Sequence, residues 1–131
     1  MKKNKELSSE ALAELIADGM LEKKGFDVQI LDLRKIHKAI TDFFVICSGN
    51  SDTQIDAIAQ SVDEVVYKNT QQNPWHKEGQ QNKEWILLDY VDVVVHIFKK
   101  DRREFYDIES LWGDAVVRHV EEGDTLSTLK Q

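Results

Sequence analysis

The sequence feature that most constrains the fold is a pair of apolar segments separated by only two residues. Segments 85–89 (WILLD) and 92–98 (DVVVHIF) are rich in β-branched and aromatic side chains, which favour extended strands. A two-residue gap between such segments is typical of a β-hairpin with Tyr90 and Val91 as its turn. The register predicted in this way pairs Asp89 with Asp92, Leu87 with Val94 and Trp85 with His96.

This register sorts the hairpin into two unlike faces, because side chains alternate across a strand. One face is aliphatic throughout and is predicted to join the core: Ile86, Leu88, Val93, Val95 and Ile97. The other face mixes large apolar side chains with acids: Trp85, Leu87, Asp89, Asp92, Val94, His96 and Phe98. This mixture of chemistry favours a binding surface.

Helical patterns precede and follow the hairpin. Ser8 or Ser9 can cap a helix that ends near Gly25, and Ser51 with Gln54 forms a capping-box pattern for a second helix reaching about Lys68. After the hairpin, Asp101 and Glu104 repeat the capping-box pattern ahead of one apolar helical face, made of Phe105, Ile108, Leu111 and the predicted core residue Trp112.

Three further segments are predicted to be strands. Residues 26–33 alternate apolar and polar side chains, residues 42–47 are apolar on both sides as in a central strand, and residues 75–78 form a short edge strand. The element order αββαβββα predicts an α/β (α+β) fold with a mixed sheet of about five strands. We expect the helices mainly on the face that presents Leu88, Val93, Val95 and Ile97.

Length and composition predict a single domain. The chain has 131 residues, 41% of them hydrophobic, which fits one core; we expect a flexible lead at 1–7, the domain at 8–122 and a tail at 123–131. We expect neither a membrane span, which needs about 18 or more apolar residues, nor a signal peptide. Cys47 is the only cysteine, so no internal disulfide can form, and we expect an inert thiol in a reducing cytoplasm.

The charge of the chain indicates what kind of partner it can bind. The formal net charge is −7, and residues 84–124 carry 5 basic against 11 acidic side chains. A field of this sign repels phosphate backbones and attracts basic proteins. The sequence therefore predicts a basic protein as partner and no direct readout of nucleic acid.

Several motifs together resemble the Iojap-like ribosomal silencing factor family. The resemblance rests on WILLDY with DVVVHIF, on FYDIESLWGDA at 105–115, on SGNS at 48–51 after a strand, and on PW at 74–75 with EG at 78–79, and it spans roughly Ser9 to Glu121. Two positions depart from the family pattern. Val91 stands where the family commonly has Gly, so a turn with positive φ is not expected there; Thr53 stands where many relatives carry Arg.

The resemblance implies both a fold and a function. It implies a nucleotidyltransferase-like fold without the catalytic carboxylates, in a protein that is not an enzyme. Family members bind the large ribosomal subunit through large-subunit ribosomal protein fourteen, block joining of the small subunit and lower translation when nutrients are scarce; organellar relatives act in large-subunit assembly. A homodimer of the free protein, through the exposed sheet face or a sheet edge, is left open.

The SGNS segment raises one alternative, a divergent nucleotidyltransferase. Small residues at a helix start let backbone amides approach a phosphate, but the chemistry also needs carboxylates paired on one strand to hold Mg²⁺. The next acids, at 52, 56, 63 and 64, fall on the predicted helix. We therefore predict no catalytic residues, no metal and no cofactor, with a generic adaptor for a basic protein as a further alternative.

The residues predicted to bind the partner are those of the mixed hairpin face and its neighbours. Asp89 and Asp92, as like charges in opposite positions, either flare into solvent or await a Lys or Arg of the partner. Tyr90 is expected to be exposed at the turn tip, and Trp85 either covers the sheet or anchors the partner. The full set is Trp75, Glu78, Trp85, Leu87, Asp89, Tyr90, Asp92, Val94 and His96.

Overall fold

The helices and strands follow the predicted order as far as the hairpin. The computed structural model describes residues 7–121; the predicted tail, and the lead apart from Leu7, lie outside them. The helices are α1 (Ser9–Glu22), α2 (Asp52–Thr70), α3 (Lys100–Tyr106) and α4 (Ile108–Leu111). The strands are β1 (Phe26–Asp32), β2 (Phe43–Gly49), β3 (His76–Glu78), β4 (Trp85–Asp89), β5 (Val93–Lys99) and β6 (Val116–Val120).

The strands form one mixed sheet, which confirms the predicted α+β class. Its order is β3-β4-β5-β2-β1-β6. Strands β2 and β5 pair in parallel at the centre, from Phe43 opposite Val93 to Gly49 opposite Lys99, and the other neighbours are antiparallel. The sheet has six strands rather than five, because β6 was not predicted. The likeness to nucleotidyltransferases stays a prediction.

Serine side chains cap the two long helices as the sequence indicates. The Ala11 N–H donates to Ser8 Oγ at 3.1 Å, and the Gln54 N–H donates to Ser51 Oγ at 3.1 Å. The Gln54 side chain reaches back one residue further than a standard capping box, since its Oε1 accepts from the Asn50 N–H at 2.6 Å. These bonds satisfy backbone donors that the first turn of a helix leaves free.

Helices α1 and α2 pack together on the aliphatic face of the sheet, as predicted. Gly19 permits their close approach, because a Cβ there would lie 2.9 Å from Val65 Cγ1 and 3.2 Å from Val62 Cα. Ser61 Oγ donates to the Gly19 carbonyl across the contact at 2.7 Å. The core beneath includes Ile86, Leu88, Val93, Val95 and Ile97.

The single helix predicted after the hairpin is two short helices. The chain leaves α3 through Asp107, whose φ of 47° is left-handed, and α4 follows at once. This break divides the predicted apolar face: Ile108 is buried, whereas Phe105 and Leu111 are exposed. The predicted cap of Asp101 with Glu104 is also wrong, because α3 continues directly from β5, with Lys99 at the cap position and no side-chain bond there.

Arg103 fixes α3 to the sheet, a role that the sequence did not indicate. Its guanidinium is buried and donates to the Asp27 carbonyl at 2.7 Å, to Ser48 Oγ at 3.0 Å and to Glu109 Oε2 at 2.9 Å. A buried arginine needs such partners, because an unpaired buried charge is costly. Arg103 therefore joins β1, β2 and α4.

Within residues 7–121, none of the helices combines the length and apolar composition that a bilayer crossing requires.

One buried carboxylate in α1 lowers stability at neutral pH. Asp18 is 9% exposed, and neither of its oxygens has a hydrogen-bond partner among the described residues. Burial raises its pKa to about 6, and the charges of Glu14 and Glu22 add to the rise. Keeping Asp18 ionised in this setting costs free energy of folding.

Replacing Asp18 by Asn should therefore stabilise the protein at neutral pH. The folded-state pKa of Asp18, about 6, exceeds the ordinary value of 3.8. Below pH 3.8 the Asp18 carboxyl is protonated and its contribution to stability is fully present. This contribution is lost as the pH rises through 6 and the buried carboxyl ionises. We expect a gain of about 1–3 kcal/mol near pH 7.5. Thermal melts should show that gain, and it should shrink near pH 4; an equal gain at both would contradict the assignment. Glu10→Gln, an exposed change on the same helix, is the control.

Candidate interaction surface

The second face of the sheet is divided into a covered part and an open part. Helices α3 and α4 and the loop before β2 cover one part, where Leu31, Leu33, Ile46, Phe98 and Ile108 form a second apolar cluster. On β4 and the start of β5, Leu87, Asp89 and Val94 are only half-buried. This open part holds three of the nine residues predicted to bind a partner.

The hairpin register differs from the prediction by two residues. Asp89 lies opposite Val94, Leu87 opposite His96 and Trp85 opposite Phe98. The turn is accordingly centred one residue later than predicted, on Val91 and Asp92, and the Tyr90 N–H closes it by donating to the Val93 carbonyl at 2.9 Å. A shift of two residues keeps every side chain on its predicted face, so the predicted sorting into an aliphatic and a mixed face is confirmed.

Asp89 stabilises the turn rather than opposing Asp92. Its Oδ1 accepts from the Val91 N–H at 2.7 Å, and Thr41 Oγ1 donates to the Val91 carbonyl at 2.9 Å. These two bonds hold Val91 at a φ of 76°. The expectation that the turn has no positive φ at Val91 is therefore wrong, and so is the predicted opposition of the two acids.

Two of the predicted contact residues are buried. Tyr90, expected at an exposed tip, is 5% exposed, and its hydroxyl has no partner within residues 7–121. Burial, with the charge of Asp63 nearby, raises the pKa of Tyr90. His96 is 4% exposed, and burial lowers its pKa to about 3, so its ring is neutral at physiological pH. Neither side chain is presented to a partner in this structure.

Trp85 and His96 form the polar link within an aromatic cluster. Trp85 Nε1 donates to His96 Nδ1 at 3.0 Å, so the ring proton of neutral His96 must lie on Nε2. The Trp85 ring contacts Phe98 at 4.9 Å and Tyr106 at 4.7 Å between centroids, and Phe44 contacts His96 edge-on at 4.5 Å. Trp85 is half-buried by these contacts, and it therefore covers the sheet.

Trp75, Glu78 and Asp92 are exposed around the open part. Trp75 precedes edge strand β3, and its N–H donates to the Asp89 carbonyl at 2.7 Å. Glu78 lies opposite Leu87 and its Oε2 contacts His76 Nε2 at 2.6 Å. The role of these residues, and of the half-buried Leu87 and Val94, in binding a partner stays a prediction.

Two residues beside this surface were missed by sequence reasoning. Ile40 is 97% exposed, although it is a large aliphatic residue, and Val91 is also exposed. Ile40 lies in a connector without periodicity, so no local pattern marks it. Trp112, predicted to be a core residue, is half-buried and packs edge-on against Phe44 at 5.6 Å between centroids.

The segment that suggested phosphate binding has structural contacts. Ser48 accepts from Arg103, and Ser51 caps α2. Acids of α2 form ion pairs with lysines around β3, β4 and β5: Asp52 with Lys99, Asp56 with Lys83 at 2.9 Å, and Asp63 with Lys77 at 3.0 Å. These pairs orient α2 against the sheet. Burial raises the pKa of Cys47 to about 12, which keeps its thiol protonated and poorly reactive.

The fold and the open sheet face define a small α+β domain that presents a mixed apolar and acidic surface. Residues 6–131 match the family model described as ribosomal silencing factor during starvation. The chain belongs to the ribosomal silencing factor family, as its motifs predicted. By family it is a ribosome-associated regulator of translation.

Two relatives and one solved structure match this chain over most of their lengths. A ribosomal silencing factor of Halalkalibacterium halodurans is 39% identical over 109 residues, which cover 83% of this chain and 92% of the relative. The one from Bacillus subtilis is 36% identical over 117 residues, covering 89% and 98%. A crystal structure of a Chromobacterium violaceum protein superposes with a TM-score of 0.77 at 28% identity, covering 92% of this chain and 99% of the other.

Replacing Trp85 by Phe should destabilise the fold, because it leaves His96 Nδ1 buried without a donor. A buried polar group deprived of its partner costs about 1–3 kcal/mol. Urea unfolding should show that loss. Trp75→Phe, at an 81% exposed position, is the matched control and should leave the unfolding midpoint unchanged. Equal midpoints for wild type and Trp85→Phe would show that the indole N–H contributes nothing.

Proposed function

We propose that this protein binds the large ribosomal subunit through large-subunit ribosomal protein fourteen and thereby prevents the small subunit from joining. The observation that carries the proposal is the open part of the second sheet face, where apolar Leu87 and Val94 lie among acidic side chains. Family membership supports the ribosome as the target. The proposed site of action is the cytoplasm, under nutrient limitation.

The chemistry of the surface suits a basic protein better than RNA. Asp89 and Asp92 lie at the hairpin end of the open part, with Glu78 on the edge strand beside it. Carboxylates repel a phosphate backbone and attract Lys and Arg, while half-buried aliphatic side chains offer area that a protein partner can desolvate. A ribosomal protein offers both the Lys and Arg side chains and the apolar area that such a surface would contact.

The proposed mechanism is steric. Occupying one partner surface on the large subunit is sufficient, and no bond is made or broken. The acids of α2 support this view, because lysines engage Asp52, Asp56 and Asp63 in ion pairs that position the helix. We also propose that the free protein self-associates through the same sheet face or a sheet edge, which sedimentation velocity over a range of concentrations tests.

The direct test is co-sedimentation of the protein with isolated large subunits. The protein should sediment with large subunits and not with small ones, and a crosslinker should join it to ribosomal protein fourteen. Preincubated large subunits should then form fewer joined ribosomes in a sucrose gradient. Binding without any loss of subunit joining would refute the steric mechanism, and absence of binding would refute the proposal altogether.

Asp92→Asn should weaken this binding and reduce its dependence on salt. Asp92 is exposed, so its charge acts at the rim of the surface, where a charge mainly alters association rate. Exposed charges are screened within about 8 Å at physiological ionic strength, so the difference from wild type should be largest at low salt. Glu104→Gln makes the same charge change on α3 and should bind like wild type. Identical salt curves for Asp92→Asn and wild type would show that Asp92 faces only water.

The protein should not carry out nucleotide transfer. Titration calorimetry with ATP or CTP and Mg²⁺ should give no saturable heat at micromolar nucleotide, because three of the four acids that follow Ser51 (Asp52, Asp56 and Asp63) are held by lysines. Saturable binding that requires Mg²⁺ would instead favour the divergent nucleotidyltransferase.

A further inference from the structure

Val91 adopts a backbone conformation that its side chain disfavours. Its φ is 76°, and a β-branched residue at positive φ is a genuine outlier whose Cβ crowds the backbone. Glycine adopts the same φ without this cost. The strain is maintained from both sides, by Asp89 Oδ1 on the Val91 N–H and by Thr41 Oγ1 on its carbonyl. Backbone strain of this kind is concentrated at functional sites.

Burial of the Val91 side chain within the fold does not offset the cost of the backbone strain. It is 57% exposed, so most of its apolar area still contacts water. A Val that contributed to the core would be buried, as Val93 and Val95 are in the same hairpin. The exposed part of this side chain is available for burial by a partner.

Two other exposed apolar residues lie at the same end of the sheet. The Thr41 hydroxyl reaches Val91, which brings Ile40 beside the turn, and the Asp42 N–H donates to the Asp92 carbonyl at 2.9 Å. The Trp75 N–H donates to the Asp89 carbonyl at 2.7 Å. Three loops thus meet at the hairpin tip, and each presents one apolar side chain: Ile40 (97% exposed), Trp75 (81%) and Val91 (57%).

Acidic groups accompany this hairpin-tip patch. Asp42 lies two residues after Ile40, Asp92 directly follows Val91, and Asp92 is exposed. An apolar patch bordered by carboxylates complements an aliphatic side chain flanked by Lys or Arg. A second copy of this chain would bring like charges together at the hairpin tip, which disfavours self-association through the patch and leaves the strands of the open part or a sheet edge for it.

We propose that the hairpin-tip patch (Ile40, Trp75 and Val91) is the apolar anchor by which this protein grips its basic ribosomal partner, and that the strain at Val91 is retained for that contact. The inference rests on the proposed function and extends it. It places the apolar anchor at the loop end of the sheet, next to the half-buried strand residues Leu87 and Val94. It also predicts that stability and binding change in opposite directions at one position.

Val91→Gly tests this inference directly. The substitution removes the apolar side chain and relieves the backbone, so the melting temperature should stay level or rise while affinity for large subunits falls about tenfold. Lys24→Gly is the matched control. Lys24 also has a left-handed φ, of 68°, but it lies just before β1, at the opposite end of the sheet. The Lys24→Gly variant should keep the melting temperature of the wild type and bind large subunits like the wild type.

Ile40→Ser provides a second test of the anchor, at a position where the substitution does not change backbone strain. At 97% exposure the substitution should leave folding unchanged, and it too should weaken binding about tenfold. If Val91→Gly were to lose stability, Ile40→Ser alone would decide the matter.

The outcomes separate this inference from the proposed function. Wild-type protein that fails to sediment with large subunits refutes the proposed function itself. If the wild type binds large subunits and Val91→Gly and Ile40→Ser bind equally well, the anchor is refuted and the proposed function stands. Variants that change only the self-association of the free protein would also overturn the inference, since the occupant would then be a second copy.

Discussion

The parallel pairing of β2 with β5 is the interaction on which the rest of the structure depends. It joins the N-terminal half of the chain to the hairpin in one register, from Phe43 opposite Val93 to Gly49 opposite Lys99. At one end of this pairing, the Asp42 and Phe43 N–H groups both donate to the Asp92 carbonyl, which fixes the loop containing Ile40 against the hairpin tip. At the other end, Lys99 meets Asp52 at the start of α2. A slip of β2 against β5 would separate the Ile40 loop from the other two loops of the hairpin-tip patch.

A parallel pair requires a long crossover, and the crossover determines which sheet face stays open. Helix α2 with β3 and β4 supplies it. Because α2 packs beside α1 through the close approach at Gly19, both long helices lie on one face and exclude water from it. The opposite face receives only the short α3 and α4 and a loop. These cover the sheet near Phe98 and leave Leu87 and Val94 half-buried, so the open surface follows from how the helices are distributed.

Local sequence patterns predicted the features that depend on neighbouring residues. The caps at Ser8 and Ser51 and the alternation of β4 and β5 are set within a few residues, and the structure contains them. Alternation has a period of two, so it could not distinguish the observed hairpin register from one displaced by two residues. The faces were therefore correct, whereas the position of Tyr90 was not. Tyr90 bonds to Val93 ahead of the turn instead of forming its tip, and its side chain is buried.

Features that depend on distant contacts could not be predicted in this way. The break at Asp107 accompanies the fixing of Arg103 to Asp27, Ser48 and Glu109, which come from three different segments. Strand β6 has exposed side chains along most of its length, so it lacks the apolar alternation that marks a half-buried strand. Ile40 is at the surface patch because Thr41 bonds to the Val91 carbonyl, fifty positions along the chain, and the Asp42 N–H bonds to the Asp92 carbonyl.

The hairpin departs from the rules of stable folding more than once within a few residues. Val91 has a strained φ, the Tyr90 hydroxyl is buried without a partner, and the His96 Nε2–H is buried without an acceptor among the described residues. Each such group costs free energy that an apolar residue or a glycine would spare. Departures from local rules that bring no gain in stability are expected where function sets the sequence. Their position in the hairpin, beside exposed apolar and acidic side chains, is what the proposed anchor predicts.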